Sequence, residues 1–216
     1  MLCRIDHVVL AAPDLDRACT DFEAATSIRP VFGGAHPGGG TRNALVAFDG
    51  LSYLEIIAPD PAQPATPMSA SLASLARPTL LHWAARGSGL QNLANRVRAI
   101  GWTPTEVRRM SRTPPTGARL EWELMGLRDH RHGGLAPFFI DWLNSPHPAT
   151  TSPRVGALVH LQLQSREPAA LRALMAELGI DVAVTAGDSH IELKFASPRG
   201  QVSYAGLDPS GFTLGR

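Results

Sequence analysis

The feature that most constrains this chain is a plan that occurs three times. Residues 5–22 read IDHVVLAAPDLDRACTDF, a β-branched run that carries His7 and is followed at once by an amphipathic segment. His82 and His160 stand at near-equal intervals further along, each in an apolar run of strand character with a helical segment behind it. The apolar positions of those segments agree as well. Eleven residues past each histidine stand Ala18, Leu93 and Leu171; fifteen past stand Phe22, Val97 and Met175; eighteen past stand Ala25, Ile100 and Leu178. Steps of four and three lie along one face of a helix. Agreement at this period implies an architecture built by repetition of one strand-helix unit.

Turn signals extend each unit to the order β-α-β-β-β. In the first, short strand character at 30–32 precedes the glycine-rich turn GGAHPGGG at 33–40, and strands at 41–48 and 52–58 flank the Asp49-Gly50 turn. Residues 59–78 are a proline-rich linker in which SASLASLA predicts a short surface helix. The second unit reads as a strand at 79–86, a helix at 89–100, and strands near 106–111, 119–127 and 137–143. Its polar insertion RDHRHGGLA at 128–136 predicts a projecting loop that could serve as a lid, with His130 and His132 upon it. The third unit reads as a strand at 155–165, a helix from Pro168 to Leu178 stopped by Gly179, and strands near 182–185, 191–196 and 201–205. The expected fold is α+β, with repeated β-α-β-β-β units. Units 1–58 and 79–148 pair into a cup-shaped, mostly antiparallel sheet over residues 1–148, and a third, degenerate unit occupies residues 154–216.

Composition narrows the class of partner. Twenty Lys and Arg against nineteen Asp and Glu, formally +1, give no overall field for nucleic acid or a membrane surface, so a small molecule is the expected ligand. Two cysteines, Cys3 and Cys19, support neither a disulfide framework nor an all-thiolate metal site, and with no leader-like amino terminus the chain reads as cytoplasmic. A homodimer is an assembly open to such a chain.

The chemistry-bearing residues sit on the first and fourth strands. Glu55 in YLEII and Asp141 in FFIDW are carboxylates among apolar neighbours, Glu55 sharing a face with Tyr53 and Ile57, Asp141 with Phe139 and Leu143. A carboxylate buried there must be paired or bind a cation. Convergence of His7, Glu55, His82 and Asp141 would make a divalent metal site, with Glu55 also placed to exchange a proton as the catalytic group. Arg42 and Asn43 have opposite parity on the third strand, so one of them faces the cup as a substrate-binding residue. Each feature has a plainer reading: the histidines as structural groups satisfied by backbone or carboxylate, Asp141 as half of a buried salt bridge or a hydrogen bond to Trp, and Trp122 and Trp142 as core. His160 has no fourth-strand acid, since GQVSYAG offers Ser203 and Tyr204, and reads as structural. The stretch GGAHPGGGTR lacks the lysine and hydroxyl of a phosphate loop and reads as a hairpin turn.

These residues also carry a resemblance. IDHVVLAAPDLDRA, HPGGGTRNALVAF with YLEIIA after it, and PFFIDW with HP shortly behind it resemble a glyoxalase-like domain of the vicinal oxygen chelate superfamily, through Pro148. The resemblance implies paired β-α-β-β-β units forming a cup, with His7 and Glu55 as ligands from one unit and His82 and Asp141 from the other. Asp141 departs from the more usual Glu. It further implies a divalent ion (Zn, Fe, Mn, Ni or Co) and lyase, isomerase or dioxygenase chemistry on a small oxygen-rich molecule. Non-catalytic members imply the alternative, a cup that sequesters an aromatic or antibiotic-like ligand.

Overall fold

The computed structural model describes residues 2–112, 119–128 and 131–206. The first unit runs β1 (Arg4–Ala11), α1 (Leu15–Thr26), β2 (Val31–His36), β3 (Thr41–Phe48) and β4 (Tyr53–Pro59), followed by the linker helix α2 (Pro67–Ala73). The second runs β5 (Thr79–Arg86), α3 (Leu90–Ala99), a two-residue β6 (Thr103–Pro104), β7 (Arg108–Arg112), β8 (Leu120–Met125), a two-residue β9 (Leu127–Arg128) and β10 (Phe138–Asp141). The third runs β11 (Arg154–Gly156), β12 (Leu158–Ser165), α4 (Pro168–Leu178), β13 (Ala183–Ala186), β14 (His190–Ser197) and β15 (Gly200–Gly206).

Local chemistry sets the helix ends. Asp14 caps α1 by accepting from the Arg17 N–H at 2.8 Å, and Ser27 ends it in the left-handed region. Pro168 opens α4 and Gly179, at φ 63°, closes it. The shared helix face holds for the first two steps of the repeat: Ala18, Phe22, Leu93, Val97, Leu171 and Met175 are all buried. At the third step only Leu178 is buried, while Ala25 and Ile100 are exposed. Helix α1 turns Thr26 inward instead, its hydroxyl donating to the Phe22 carbonyl at 2.7 Å.

The first two units form one curled, mostly antiparallel sheet in the order β11-β3-β4-β1-β5-β10-β8-β7, with β2 also paired to β3. Within each unit the fourth strand lies parallel to the first, β4 beside β1 and β10 beside β5. Antiparallel pairing of β1 with β5 joins the two halves. Both strands of that seam carry an extra residue: Asp6 falls between Ile5 and His7, and Leu81 between the partners of Val9 and Leu10. Such bulges re-aim side chains and break strict alternation. They stand beside His7 and His82, the first two histidines of the repeat.

The third unit has the expected order of elements and a different sheet. Its strands pair as β13-β12-β14-β15, so the first strand lies between the second and third, and the fourth is at the edge. His160 on β12 therefore has no fourth strand beside it; its Nε2 lies 3.7 Å from Glu192 on β14. The chain changes sheets just before β12. Gly156, at φ 135°, lets β11 finish on β3 and β12 begin the small sheet, and a Cβ there would meet the Ala196 carbonyl oxygen at 2.6 Å.

The small sheet presents Leu161, Leu163, Ile191, Leu193 and Phe195 to the side of the large sheet that carries α1 and α3, where one continuous core joins all three units. Phe22 stacks on Phe195 with ring centres 5.9 Å apart, and Phe48 lies 5.4 Å from it. The polar insertion belongs to this side too. Asp129 and His130 lie outside the described residues, but His132 is buried, its Nδ1 3.3 Å from the Ser165 hydroxyl, and the Leu135 carbonyl accepts from the Trp83 indole at 2.9 Å. Residues 131–136 thus dock on the third unit, away from the cup expected beneath a lid. Burial pushes the His132 pKa down, which keeps the ring neutral there. Both cysteines are buried and free, and among the described residues no helix is long and apolar enough to cross a membrane.

Helix α2 lies on the opposite face. Met68, Leu72 and Leu75 pack with Val9, Ala11, Ile57 and Leu81, closing one end of the cup. The glycine-rich stretch explains how it is held: Gly33 to His36 continue β2, and the turn itself is residues 37–40. The Gly39 carbonyl accepts from Thr66, the α2 cap, at 2.9 Å. Gly40, at φ 66°, would place a Cβ 2.9 Å from the Ser69 hydroxyl.

Candidate active site

The cup face gathers two linked polar clusters. In the first, the bulge at Asp6 brings this carboxylate, which is 0% exposed, to three ring donors. His7 Nδ1 lies 2.7 Å from one oxygen, while His147 Nε2 at 2.9 Å and the Trp142 indole at 3.0 Å share the other. The Ala149 N–H donates to His147 Nδ1 at 3.2 Å, so the proton of the neutral His147 ring is on Nε2 and points at Asp6. Burial works to raise the Asp6 pKa, but the hydrogen bonds from His147 and His7 and the charges of those rings overcome it and hold it at about 2. Asp6 is therefore an anion that accepts only, and His7 carries a proton on Nδ1.

That proton directs the other side of the His7 ring. Its Nε2 faces a Glu55 oxygen at 3.4 Å, and the ring stacks on Tyr53 with centres 4.7 Å apart. The second Glu55 oxygen accepts from Asn43 Nδ2 at 2.6 Å. The same Asn43 nitrogen stands 3.2 Å from His36 Nε2, and His36 Nδ1 is 2.8 Å from the Thr41 hydroxyl. A line of polar groups from His147 through Asp6, His7, Glu55 and Asn43 to His36 thus crosses four strands and a connection. Within it Glu55 keeps a side-chain exposure of 12%, so solvent or a ligand can reach a carboxylate that Asn43 holds through one oxygen and His7 Nε2 faces at the other.

Of the residues the sequence singled out, His7, Glu55 and Asn43 are brought together. Arg42 has the other parity: it faces α1 and pairs with Asp16 at 3.0 Å, so it does not anchor a ligand in the cup. Asp141 is also turned away. One of its oxygens accepts from the Gly89 N–H at 2.9 Å, at the start of α3, and the other from the Leu143 N–H at 3.0 Å. The expected alternation with Phe139 holds, but Phe139 packs in the helix-side core, and the cup face of β10 is Phe138 and Ile140. Both parities of FFIDW are apolar apart from the acid, as in a strand buried on both faces, so the pattern alone does not say which side is inside.

His82 does face the cup. Its ring lies flat on Phe138, 5.1 Å between centres and 4° between planes, and the same Phe138 meets His7 edge-on at 5.3 Å. Phe138 thus packs against both imidazoles and supplies no metal donor there. Among the described residues no three His, Cys, Asp or Glu side chains are grouped to hold a metal ion. The expected set of His7, Glu55, His82 and Asp141 does not fit a shared divalent ion, because Asp141 is turned to the start of α3. A separate cavity of about 280 Å³ lies by β7 and β8, lined by Arg109, Arg119, Glu121 and residues 143–146; Glu121 already pairs with both arginines there.

The sequence pattern of the glyoxalase-like domain matches residues 5–179. The chain belongs to the glyoxalase-like family. The match passes Pro148 and takes in β12 and α4, further than the motifs alone reach. Among solved structures, a hypothetical protein from Staphylococcus aureus is 15% identical, covering 96% of this chain and 86% of its own, with a TM-score of 0.63. That likeness shows the fold, third unit included. A methylmalonyl-CoA epimerase in complex with methylmalonyl-CoA and NH4+ is 21% identical over 68% of this chain and 100% of its own, at a TM-score of 0.47. The methylmalonyl-CoA epimerase from Mycobacterium tuberculosis is 21% identical over 68% of this chain and 91% of its own, at 0.42. No curated protein matches.

Asp6, His147, Trp142 and His36 are the site residues that sequence reasoning missed. All four stood within the quoted motifs: His36 opens HPGGGTRNALVAF, while Asp6, Trp142 and His147 are the D of IDHV, the W of FFIDW and the H of the HP behind it. Their convergence depends on the bulge in β1, which no local pattern announces.

Proposed function

We propose that this glyoxalase-like protein binds a small oxygen-rich molecule in its cup and exchanges a proton with it through Glu55. The observation that carries the reading is the Glu55 carboxylate itself, reachable from the cup and held between Asn43 at 2.6 Å and His7 at 3.4 Å. A carboxylate so fixed needs little reorganisation to accept a proton from carbon beside a carbonyl, and His7 Nε2 is adjacent to take part in its return. Of the chemistries implied by the resemblance, proton transfer of the isomerase or lyase type is the one these side chains can perform themselves.

A second reading is favoured by the aromatic lining. Tyr53, Phe138, Trp142 and Trp122 give the cup flat apolar surfaces suited to an aromatic ligand that is held and not transformed. The two readings separate in one experiment. The protein is incubated in D₂O with a panel of small 2-oxo acids, hydroxy ketones, acyl thioesters and aromatic carbonyl compounds, and carbon-bound protons are followed by NMR. The enzyme reading expects catalysed loss of the proton beside the carbonyl in at least one class. Saturable binding without exchange would leave the sequestering role, and neither binding nor exchange across the panel would contradict both.

A further inference from the structure

The two halves of the cup can be aligned by register. In the first, the residue two beyond His7 is Val9, whose partner on the fourth strand is Glu55. In the second, the residue two beyond His82 is Ala84, whose partner on the fourth strand is Phe138. Phe138 therefore occupies the place of Glu55. The bulges align in the same way, with Asp6 next to His7 and Leu81 next to His82. Each acid of the first half thus has an apolar counterpart in the second, and Asp141, the nearest carboxylate in sequence, caps the start of α3.

We infer that Phe138 is the residue that keeps this cup from chelating a divalent ion, and that a carboxylate in its place creates a metal site from His7, Glu55, His82 and residue 138. Glu55 and Phe138 are at matched positions on strands that flank the β1–β5 seam, and the Phe138 ring already touches both imidazoles. Two imidazoles and two carboxylates are a donor set for Mn²⁺, Co²⁺, Ni²⁺ or Zn²⁺. The phenyl ring packs against both imidazoles and supplies no donor. The inference rests on the same cup as the proposed function but not on its chemistry, since metal uptake is measured on the protein alone.

The test is equilibrium dialysis of wild type, Phe138→Glu and Phe138→Glu/His82→Ala against each of these ions, followed by elemental analysis and by thermal melting with and without the ion. The expected result is sub-stoichiometric metal in wild type and about one equivalent in Phe138→Glu, with a melting temperature that rises with ion concentration, both lost in the double variant. Because an unbalanced buried glutamate can cost folding, Phe138→His is run beside it; it keeps a ring in place, supplies a nitrogen donor and is expected to gain metal as well. A wild-type protein that takes up one equivalent and loses it on His7→Ala would overturn the inference. So would folded variants at position 138 that take up no more metal than wild type.

Discussion

Replacing Asp6 by alanine is expected to destabilise the fold by about 3–5 kcal/mol, the range for removing one member of a buried charged network. Three donors, from His7, His147 and Trp142, converge on this carboxylate, which at 0% exposure has no water as a substitute for them. The loss also unties β1 from the connection between the second and third units, so urea unfolding should show a lower midpoint. An unchanged midpoint would mean that the cluster contributes nothing net. The same carboxylate predicts an acid limb in stability. Its pKa falls from 3.8 to about 2 on folding, so its contribution, about 2 kcal/mol, is complete above the unfolded value. It is lost as the pH drops from about 4 to about 2. Asp6→Asn should flatten that limb.

Glu55→Gln is expected to lower the rate of proton exchange by about 10²–10⁴-fold, the usual contribution of a positioned general base, while leaving ligand binding within a few-fold. Glutamine keeps the size of the side chain and an oxygen for the Asn43 N–H, so stability should change by no more than about 1 kcal/mol. The measurement is kcat against KM for exchange: a fall confined to kcat marks an interaction made in the transition state. A variant that exchanges at the wild-type rate would remove Glu55 from the chemistry. One that loses binding and exchange together would reduce it to a structural prop of the cup.

Much of this architecture is legible because it repeats. Helices with a common buried face at Ala18, Leu93 and Leu171 follow strands with a common histidine, and hydrophobic period survives divergence. Pairing order does not share that property. The third unit repeats the elements but places its first strand between the second and third, in a sheet whose Phe195 packs on Phe22 and Phe48 of the first unit. Half of the candidate site was similarly readable. Glu55 lies on the face that its alternation with Tyr53 and Ile57 predicts, since that face is the cup. Asp141 alternates just as predicted with Phe139, yet faces the helices, because β10 is apolar on both sides and one residue of register exchanges them. Asp6 follows no alternation at all. A bulge turns it in beside His7, and only the pairing of β1 with β5 reveals it.

Exchange measured before and after exhaustive chelation tests the central claim most directly, which is that Glu55, positioned by His7 and Asn43, moves a proton without help from a metal. The account predicts the same rate of deuterium incorporation in chelator-treated and untreated protein, and its loss in Glu55→Gln. A rate that vanishes on chelation and returns with Mn²⁺ or Co²⁺ would contradict it.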